Sequence, residues 1–386
     1  MRKGFSIMYI LILIGAIFPS KVNANSTDSD ININSPSALL IEYSTGNVLY
    51  SKNENEKMYP ASMTKMMSMY LLLDCIKNKT HSFDDIVTVS EYASSMGGSQ
   101  IFLKENEQMS FEELFTAIAV ASANDATVAL AEYTHGSVSS FVKAMNAKAK
   151  ELNMNNTNFI NTTGFHDSNH YTTAADMGIL SLNLLKHHQN TLLKYTSIYE
   201  TYLRNNEETP FWLVTTNKLL KTYEGMDGLK TGYTKEAGYN LTATATKNNL
   251  RFISVAMGAK TSKERNADIV SLLNYGFNNY KTITLYEKND FIKEVTLNNS
   301  KQDSVYLISK EDINIVIKKN DTTDKIKISI ELFDNNAPKK GSDIIGTLKV
   351  IDKKGSIIAT YNLYINKDVD TLSFMDIFKR FFKLII

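Results

Sequence analysis

The chain carries a single cysteine, Cys75, so no internal disulfide can cross-link it and its core must hold the fold unaided. Its 42 basic and 41 acidic residues leave a formal charge of +1, which argues against nucleic acid as the partner. There is no internal repeat, no long low-complexity tract and no phosphate-cradling glycine loop. The apolar stretches near the two ends are too short for a comfortable bilayer span. Cys75 itself, inside an apolar helical run, reads as a core residue rather than a nucleophile.

What the ends do carry points to export. Arg2 and Lys3 precede an apolar stretch from Ile7 to Phe18, Pro19 and Ser20 break it, and Val22-Asn23-Ala24 has the small-x-small pattern of a cleavage site. These are the parts of a secretory signal peptide over 1–24, with Asn25 as the mature start. At the other end, Leu372, Met375, Phe378, Phe381, Phe382 and Ile385 recur at helical spacing, opposite Asp376, Lys379, Arg380 and Lys383. Residues 369–386 are therefore expected to form an amphipathic helix lying in a bilayer interface, which puts the protein peripherally on the outer face of the cytoplasmic membrane. The alternative is a helix docked on a domain.

Between the ends, two pattern regimes follow one another, as the length of the chain leads one to expect. Over 25–280 a hairpin (38–50) precedes helical runs at 62–76, 111–133, 141–152 and 174–185. Three strand-like runs follow, at 228–234, 239–246 and 251–257, and then a helix over 263–280. This is an α/β (α+β) domain in which an antiparallel sheet is flanked by helices. Over 281–368, short alternating runs such as Ile313-Asn314-Ile315-Val316-Ile317 are separated by polar turns, the signature of a small all-β sandwich.

The chemistry concentrates in three short motifs. Ser62-Met63-Thr64-Lys65 stands just after Pro60 at the head of an apolar helix, and residues i and i+3 share a helix face. A serine hydroxyl needs a base beside it, and a lysine walled by methionines and leucines loses hydration and becomes one. Read alone, the pair is equally a helix cap and a snorkelling lysine. Sixty residues on comes Ser122-Ala123-Asn124, between two helical runs, and after it Lys230-Thr231-Gly232 on a strand. S-x-x-K, S-x-N and K-T-G, in that order, resemble the signature set of penicillin-binding proteins and class A β-lactamases.

The resemblance extends over nearly the whole chain, to the low-molecular-mass penicillin-binding proteins, the serine D-alanyl-D-alanine carboxypeptidases of peptidase family S11. It is carried by Tyr59-Pro60-Ala61-Ser62-Met63-Thr64-Lys65-Met66-Met67, Asn124-Asp125-Ala126 and His170-Tyr171-Thr172-Thr173-Ala174-Ala175-Asp176-Met177. Asp227-Gly228-Leu229-Lys230-Thr231-Gly232-Tyr233-Thr234 and Ala237-Gly238-Tyr239-Asn240-Leu241 add to it. The resemblance implies a penicillin-binding-protein/β-lactamase-like transpeptidase fold and hydrolysis of stem peptides ending in D-Ala-D-Ala through an acyl-enzyme on Ser62. Lys65 is then the base, Ser122 a proton relay, Asn124 a substrate-backbone contact, and the N–H groups of Ser62 and Tyr233 the oxyanion donors. Lys230, Thr231 and Arg265 would receive the terminal carboxylate. β-Lactams would be covalent inhibitors, and no cofactor or metal is implied. Most relatives carry glycine where this chain has Ala123, whose methyl restricts the backbone there. The strand holding Lys230 is expected at a sheet edge, where an extended peptide can pair beside Gly232.

Other readings compete. His166, Asp167 and His170 form a tempting metal cluster, and zinc-dependent D-Ala-D-Ala peptidases exist, but the spacing has no H-E-x-x-H pattern. A β-lactamase on the same skeleton would need the dedicated deacylation glutamate of class A enzymes, and no segment resembles its loop. A non-enzymatic peptidoglycan-binding module is disfavoured by the intact motif residues. Endopeptidase cleavage of D-Ala-containing cross-links is a variant of the leading reading.

Overall fold

The computed structural model describes residues 31–383 apart from 206, 207, 334 and 354, so the expected signal segment lies outside the described residues. Strands β1 (Ser37–Glu42) and β2 (Val48–Lys52) form the expected hairpin. The buried Glu42 carboxylate closes its turn by accepting from the backbone and hydroxyls of Ser44 and Thr45. A 3-10 turn, Ala61–Thr64, then leads into α1 (Lys65–Lys77), so Ser62 precedes the α-helix instead of standing inside it. From Lys65 to Leu73 every residue of α1 is buried, as fits a helix that is apolar on most of its circumference. Cys75 lies past this stretch and is half-buried, a correction to its expected place in the core.

Strand β3 (Ile86–Thr88), α2 (Glu91–Ser94) and β4 (Gln108–Ser110) lead to α3 (Phe111–Ala121), whose start is fixed by a capping box between Ser110 and Glu113. Next come α4 (Asn124–His135), α5 (Val138–Glu151) and α6 (Ala174–Thr196). The last runs well past the expected Leu185: it kinks at His188 (φ −137°), whose Nε2 meets Asp74 Oδ1 on α1 at 2.9 Å, and continues. The hairpin β5 (Glu200–Leu203) and β6 (Phe211–Val214), short α7 (Leu219–Thr222), β7 (Met226–Thr234), β8 (Gly238–Lys247), β9 (Leu250–Ala259) and α8 (Ser262–Asn279) complete this part.

Five strands make one antiparallel sheet in the order β2-β1-β9-β8-β7, which leaves β7 at an edge. Alternate side chains go to two cores. Leu39, Ile41, Leu229, Ile253, Val255 and Met257 join the helical core of α1 and α3–α6. Ala38, Leu40, Leu241, Ala243 and Phe252 join Ile269, Leu272 and Leu273 of α8 on the other face. Because both faces are covered, these strands read as near-continuous apolar runs.

Strand β10 (Tyr280–Tyr286) begins directly after α8 and pairs with β13 (Ile313–Lys318). Strands β11 (Lys293–Val295), β12 (Val305–Ile308), β14 (Lys327–Leu332), β15 (Gly346–Ile351) and β16 (Ile357–Ile365) form a second sheet, ordered β11-β12-β16-β15-β14. Ile313, Ile315 and Ile317 of the first sheet share one apolar core with Leu307, Leu348, Val350 and Leu363 of the second. This is the sandwich arrangement expected for the all-β part. Helix α9 (Phe374–Lys383) follows, with Phe374, Met375, Ile377 and Phe378 exposed.

One buried carboxylate ties the start of the described chain to α8. Asp268 accepts from Asn34 N at 3.0 Å, Ser35 N at 2.7 Å and Ser35 Oγ at 2.6 Å. Replacing Asp268 by Ala strands two backbone donors. Urea unfolding should show a loss of about 2–4 kcal/mol; a loss near zero would mean that residues 34–35 detach without consequence.

Candidate active site

The turn that presents Ser62 is held in an unusual conformation. Ala61 sits at φ +47°, in the left-handed region that a residue with a Cβ adopts at a cost. Gly164 backs against it at φ +90°, where a Cβ would stand 1.9 Å from the Ala61 carbonyl oxygen. From there the chain brings the Lys65 amine under the serine: Nζ lies 3.0 Å from Ser62 Oγ and donates to the Thr163 carbonyl at 2.8 Å. Lys65 has 0% exposure. Its pKa is lowered well below the ordinary lysine value, by burial first and then by the charge of Lys230, with Asp125 opposing.

Ser122 and Asn124 enter from the break between α3 and α4. Ser122 caps α3 in the left-handed conformation (φ 63°, ψ 32°), and its buried Oγ has no partner among the described residues. Asn124 Nδ2 donates to the Gly97 carbonyl at 2.8 Å, whereas its buried Oδ1 is also without a partner. Orphaned buried polar atoms are costly unless something completes them. Asp125, next in sequence, fixes the facing loop by accepting from Ile101 N and Leu103 N. Ala123 takes φ −61°, ψ 121°, a conformation open to any residue, so its methyl imposes no backbone cost here.

Strand β7 forms the opposite wall. Lys230 is buried, and its pKa is lowered to about 7 by burial and then by the charge of Arg265. Thr231 Oγ1 lies 2.5 Å from the hydroxyl of Thr216. Tyr233, 55% exposed, packs its ring on Tyr239 at 4.3 Å. Arg265, in the first turn of α8, is 5% exposed and donates from Nε and Nη2 to the Asn266 amide oxygen at 3.0 and 2.7 Å. Burial lowers its pKa to about 10. Lys65, Lys230 and Arg265 thus form a chain of desolvated basic groups in which each feels the next, a field suited to an anion.

Gly232 departs from its expected reason. A Cβ there would stand 2.6 Å from the Pro60 carbonyl oxygen and 3.1 Å from the amides of Ser62 and Met63, so the backbone it admits is that of the Ser62 turn. The His166/Asp167/His170 cluster also takes a structural form. Burial lowers the His170 pKa to about 4; its Nδ1 accepts from Ile160 N at 3.1 Å, and its Nε2 lies 2.8 Å from Thr64 Oγ1. His166 packs edge-on against Tyr59. Among the described residues no group of three His, Cys, Asp or Glu could hold a metal. Thr216 and the Thr163 carbonyl carry no motif, and only the fold shows that they belong to the site.

The chain is similar to known proteins. The D-alanyl-D-alanine carboxypeptidase family matches residues 22–261, and the penicillin-binding protein 5 C-terminal domain matches 280–371. The chain is 43% identical over 384 residues to D-alanyl-D-alanine carboxypeptidase DacF of Bacillus subtilis (strain 168), covering 98% of each. The crystal structure of penicillin binding protein 5 from Haemophilus influenzae superposes with a TM-score of 0.75 at 34% identity, over 88% of this chain and 98% of that one. The ampicillin-bound penicillin-binding protein D2 of Listeria monocytogenes gives 0.58 at 29% identity, over 64% of this chain and 99% of that one.

The two buried lysines set a pH dependence of stability. Both have folded-state pKa values below the ordinary 10.5, Lys230 at about 7. Between about 7 and 10.5 the unfolded chain binds more protons than the native one, so unfolding free energy should rise with pH across that window. Lys230→Met should flatten the slope and raise stability at pH 7 by about 1–2 kcal/mol, read by thermal melts from pH 6 to 10. An unchanged slope would show that the Lys230 charge carries no desolvation cost.

Proposed function

The chain belongs to the D-alanyl-D-alanine carboxypeptidase family, and we propose that it is a serine D,D-carboxypeptidase that removes the terminal D-alanine from peptidoglycan stem pentapeptides. The observation that carries this reading is the pairing of Ser62 Oγ with a fully buried Lys65 Nζ at 3.0 Å, beside the orphaned Ser122 Oγ and Asn124 Oδ1.

The geometry supports the following course. Neutral Lys65 takes the hydroxyl proton as Ser62 Oγ attacks the carbonyl carbon of the penultimate D-alanine. Negative charge develops on the carbonyl oxygen, for which the backbone N–H groups of Ser62 and Tyr233 are the donors; Gly232 brings its strand against the Ser62 amide. Ser122 passes a proton to the departing amine of D-alanine as the peptide bond breaks. Because Asn124 Nδ2 is taken by Gly97, its Oδ1 is the atom left to accept from a substrate N–H. Lys230, Thr231 and Arg265 receive the terminal carboxylate, so the enzyme acts on chain ends. Water then hydrolyses the acyl-enzyme, and its proton leaves by the same basic groups. A β-lactam acylates Ser62 in the same way, but its ring-opened leaving group stays tethered and blocks water. Cleavage of cross-links by the same machinery would trim the wall as an endopeptidase.

The same reading places the protein outside the cytoplasmic membrane. Residues 1–24 direct export, 25–280 form the catalytic domain, 281–368 the β-domain, and 369–386 the anchor. No described helix is long and apolar enough to cross a membrane. Apolar residues of α9 are exposed, which suits seating in a bilayer interface.

Release of D-alanine from a pentapeptide ending in D-Ala-D-Ala, by protein spanning 25–370, tests the activity. Wild type should release it, and Ser62→Ala should lower the rate by at least about 10³-fold. A folded wild type that releases none would sink the carboxypeptidase reading; undiminished release by the variant would remove Ser62 as nucleophile. Deleting 371–386 should move the protein from the membrane pellet to the soluble fraction. Retention in the pellet would rule the anchor out.

A further inference from the structure

The turn carrying Ser62 has no side-chain cap of its own: Pro60 precedes it without a capping hydrogen bond, and Ala61 is strained. What holds it lies across the sheet. Asn240, on β8 and 0% exposed, donates from Nδ2 to the Tyr59 carbonyl at 2.9 Å and to the Pro60 carbonyl at 3.3 Å. Its Oδ1 accepts from Gly258 N of β9 at 2.7 Å. Both ends of the amide are therefore in use, one on the sheet and one on the turn. In the β7–β8 register Asn240 stands opposite Gly232. The two residues meet at one atom: the Pro60 carbonyl oxygen that Asn240 holds is the oxygen a Gly232 side chain would strike at 2.6 Å.

Resting on the carboxypeptidase reading, we infer that Asn240 is a positioning residue for the oxyanion-binding seam, fixing the Ser62 turn against β7 at the spacing the two backbone donors require. Asn240 touches no substrate. It acts through Tyr59 and Pro60, so its loss should weaken the transition-state interaction and leave the carboxylate receptor of Lys230, Thr231 and Arg265 unchanged. A displacement of a few tenths of an ångström at a preorganised donor is felt in the chemical step first.

The experiment compares wild type with Asn240→Asp, Asn240→Ser, Gly232→Ala and the double variant Asn240→Ser/Gly232→Ala. Asp puts a second oxygen against the two carbonyls, and Ser is too short to reach them. Active sites are titrated with a fluorescent penicillin, and kcat and KM are measured on the pentapeptide per titrated site. Both Asn240 variants should lower kcat per site about 10- to 100-fold with KM within about twofold. The double variant should be little worse than the worse single one, because both changes act on one carbonyl. Variants that melt earlier and titrate fewer sites, yet keep wild-type kcat per site, would show a merely structural residue and overturn the inference, as would strictly multiplying losses. A wild type that is acylated and active beside unaltered variants refutes this inference alone. A wild type that is neither refutes the carboxypeptidase reading and this one with it.

Discussion

The desolvated amine of Lys65 is the constraint on which the rest of the structure depends. A lysine kept away from water loses its preference for the charged form, and only then can it take a proton from a serine hydroxyl 3.0 Å away. Keeping it dry takes a whole domain. Met66, Met67, Met69 and Leu72 pack α1 into the helical core, and the 161–165 loop lies over the site with the Thr163 carbonyl as the amine's second partner. Burying an amine without a paired carboxylate opposes stability, a cost that the proposed role of Lys65 as base would explain. Asp125, the nearest acidic influence on Lys65, spends its oxygens on the Ile101, Leu103 and Ala126 amides rather than on the lysine. It shapes the facing loop and leaves the amine free to cycle.

The sheet supplies the second requirement, a wall packed on both faces. With both faces covered, β7 is fixed through β8 to β9 and so to α8, which carries Arg265. Gly232 lets β7 and the Ser62 turn approach closely, a Cβ there standing 3.1 Å from the Ser62 amide nitrogen. The strain at Ala61 fits this arrangement. A turn forced into a left-handed residue beside a glycine that cannot be enlarged persists only because neighbours on three sides determine it: Gly164, Gly232 and the Asn240 amide.

Much of this was legible in the chain. The Ser62–Lys65 contact showed as an i, i+3 pair on an apolar run, and Ser122-Ala123-Asn124 as a break in helical periodicity. The three consecutive strand runs gave the antiparallel ladder and its edge. Other features were hidden for identifiable reasons. The Ser62 turn is 3-10 and begins on Ala61 at positive φ, which no propensity predicts. Helix α6 outruns its expected end because a tertiary bond from His188 to Asp74 carries it past a kink. Gly232 was assigned to substrate approach, whereas the approaching chain is Pro60 to Met63, a contact between segments far apart in sequence. The concern over Ala123 dissolves because the left-handed residue of that loop is its neighbour Ser122. Asn240 and Thr216 look like ordinary polar residues of a strand and a loop until the fold gives them partners.

The three buried basic groups connect recognition to chemistry. Lys230 lowers the proton affinity of Lys65, and Arg265 lowers that of Lys230. On the proposed reading a substrate brings one negative charge into this chain, at the end held by Lys230 and Arg265. That charge offsets the field Lys65 feels, so Lys65 is a stronger base with a C-terminal carboxylate bound than without one. A peptide lacking a free carboxylate, even one threading the same cleft, meets a weaker base as well as a poorer grip. On that reading the group that recognises the chain end also tunes the base beside the nucleophile, so selectivity would be read in kcat as well as in KM.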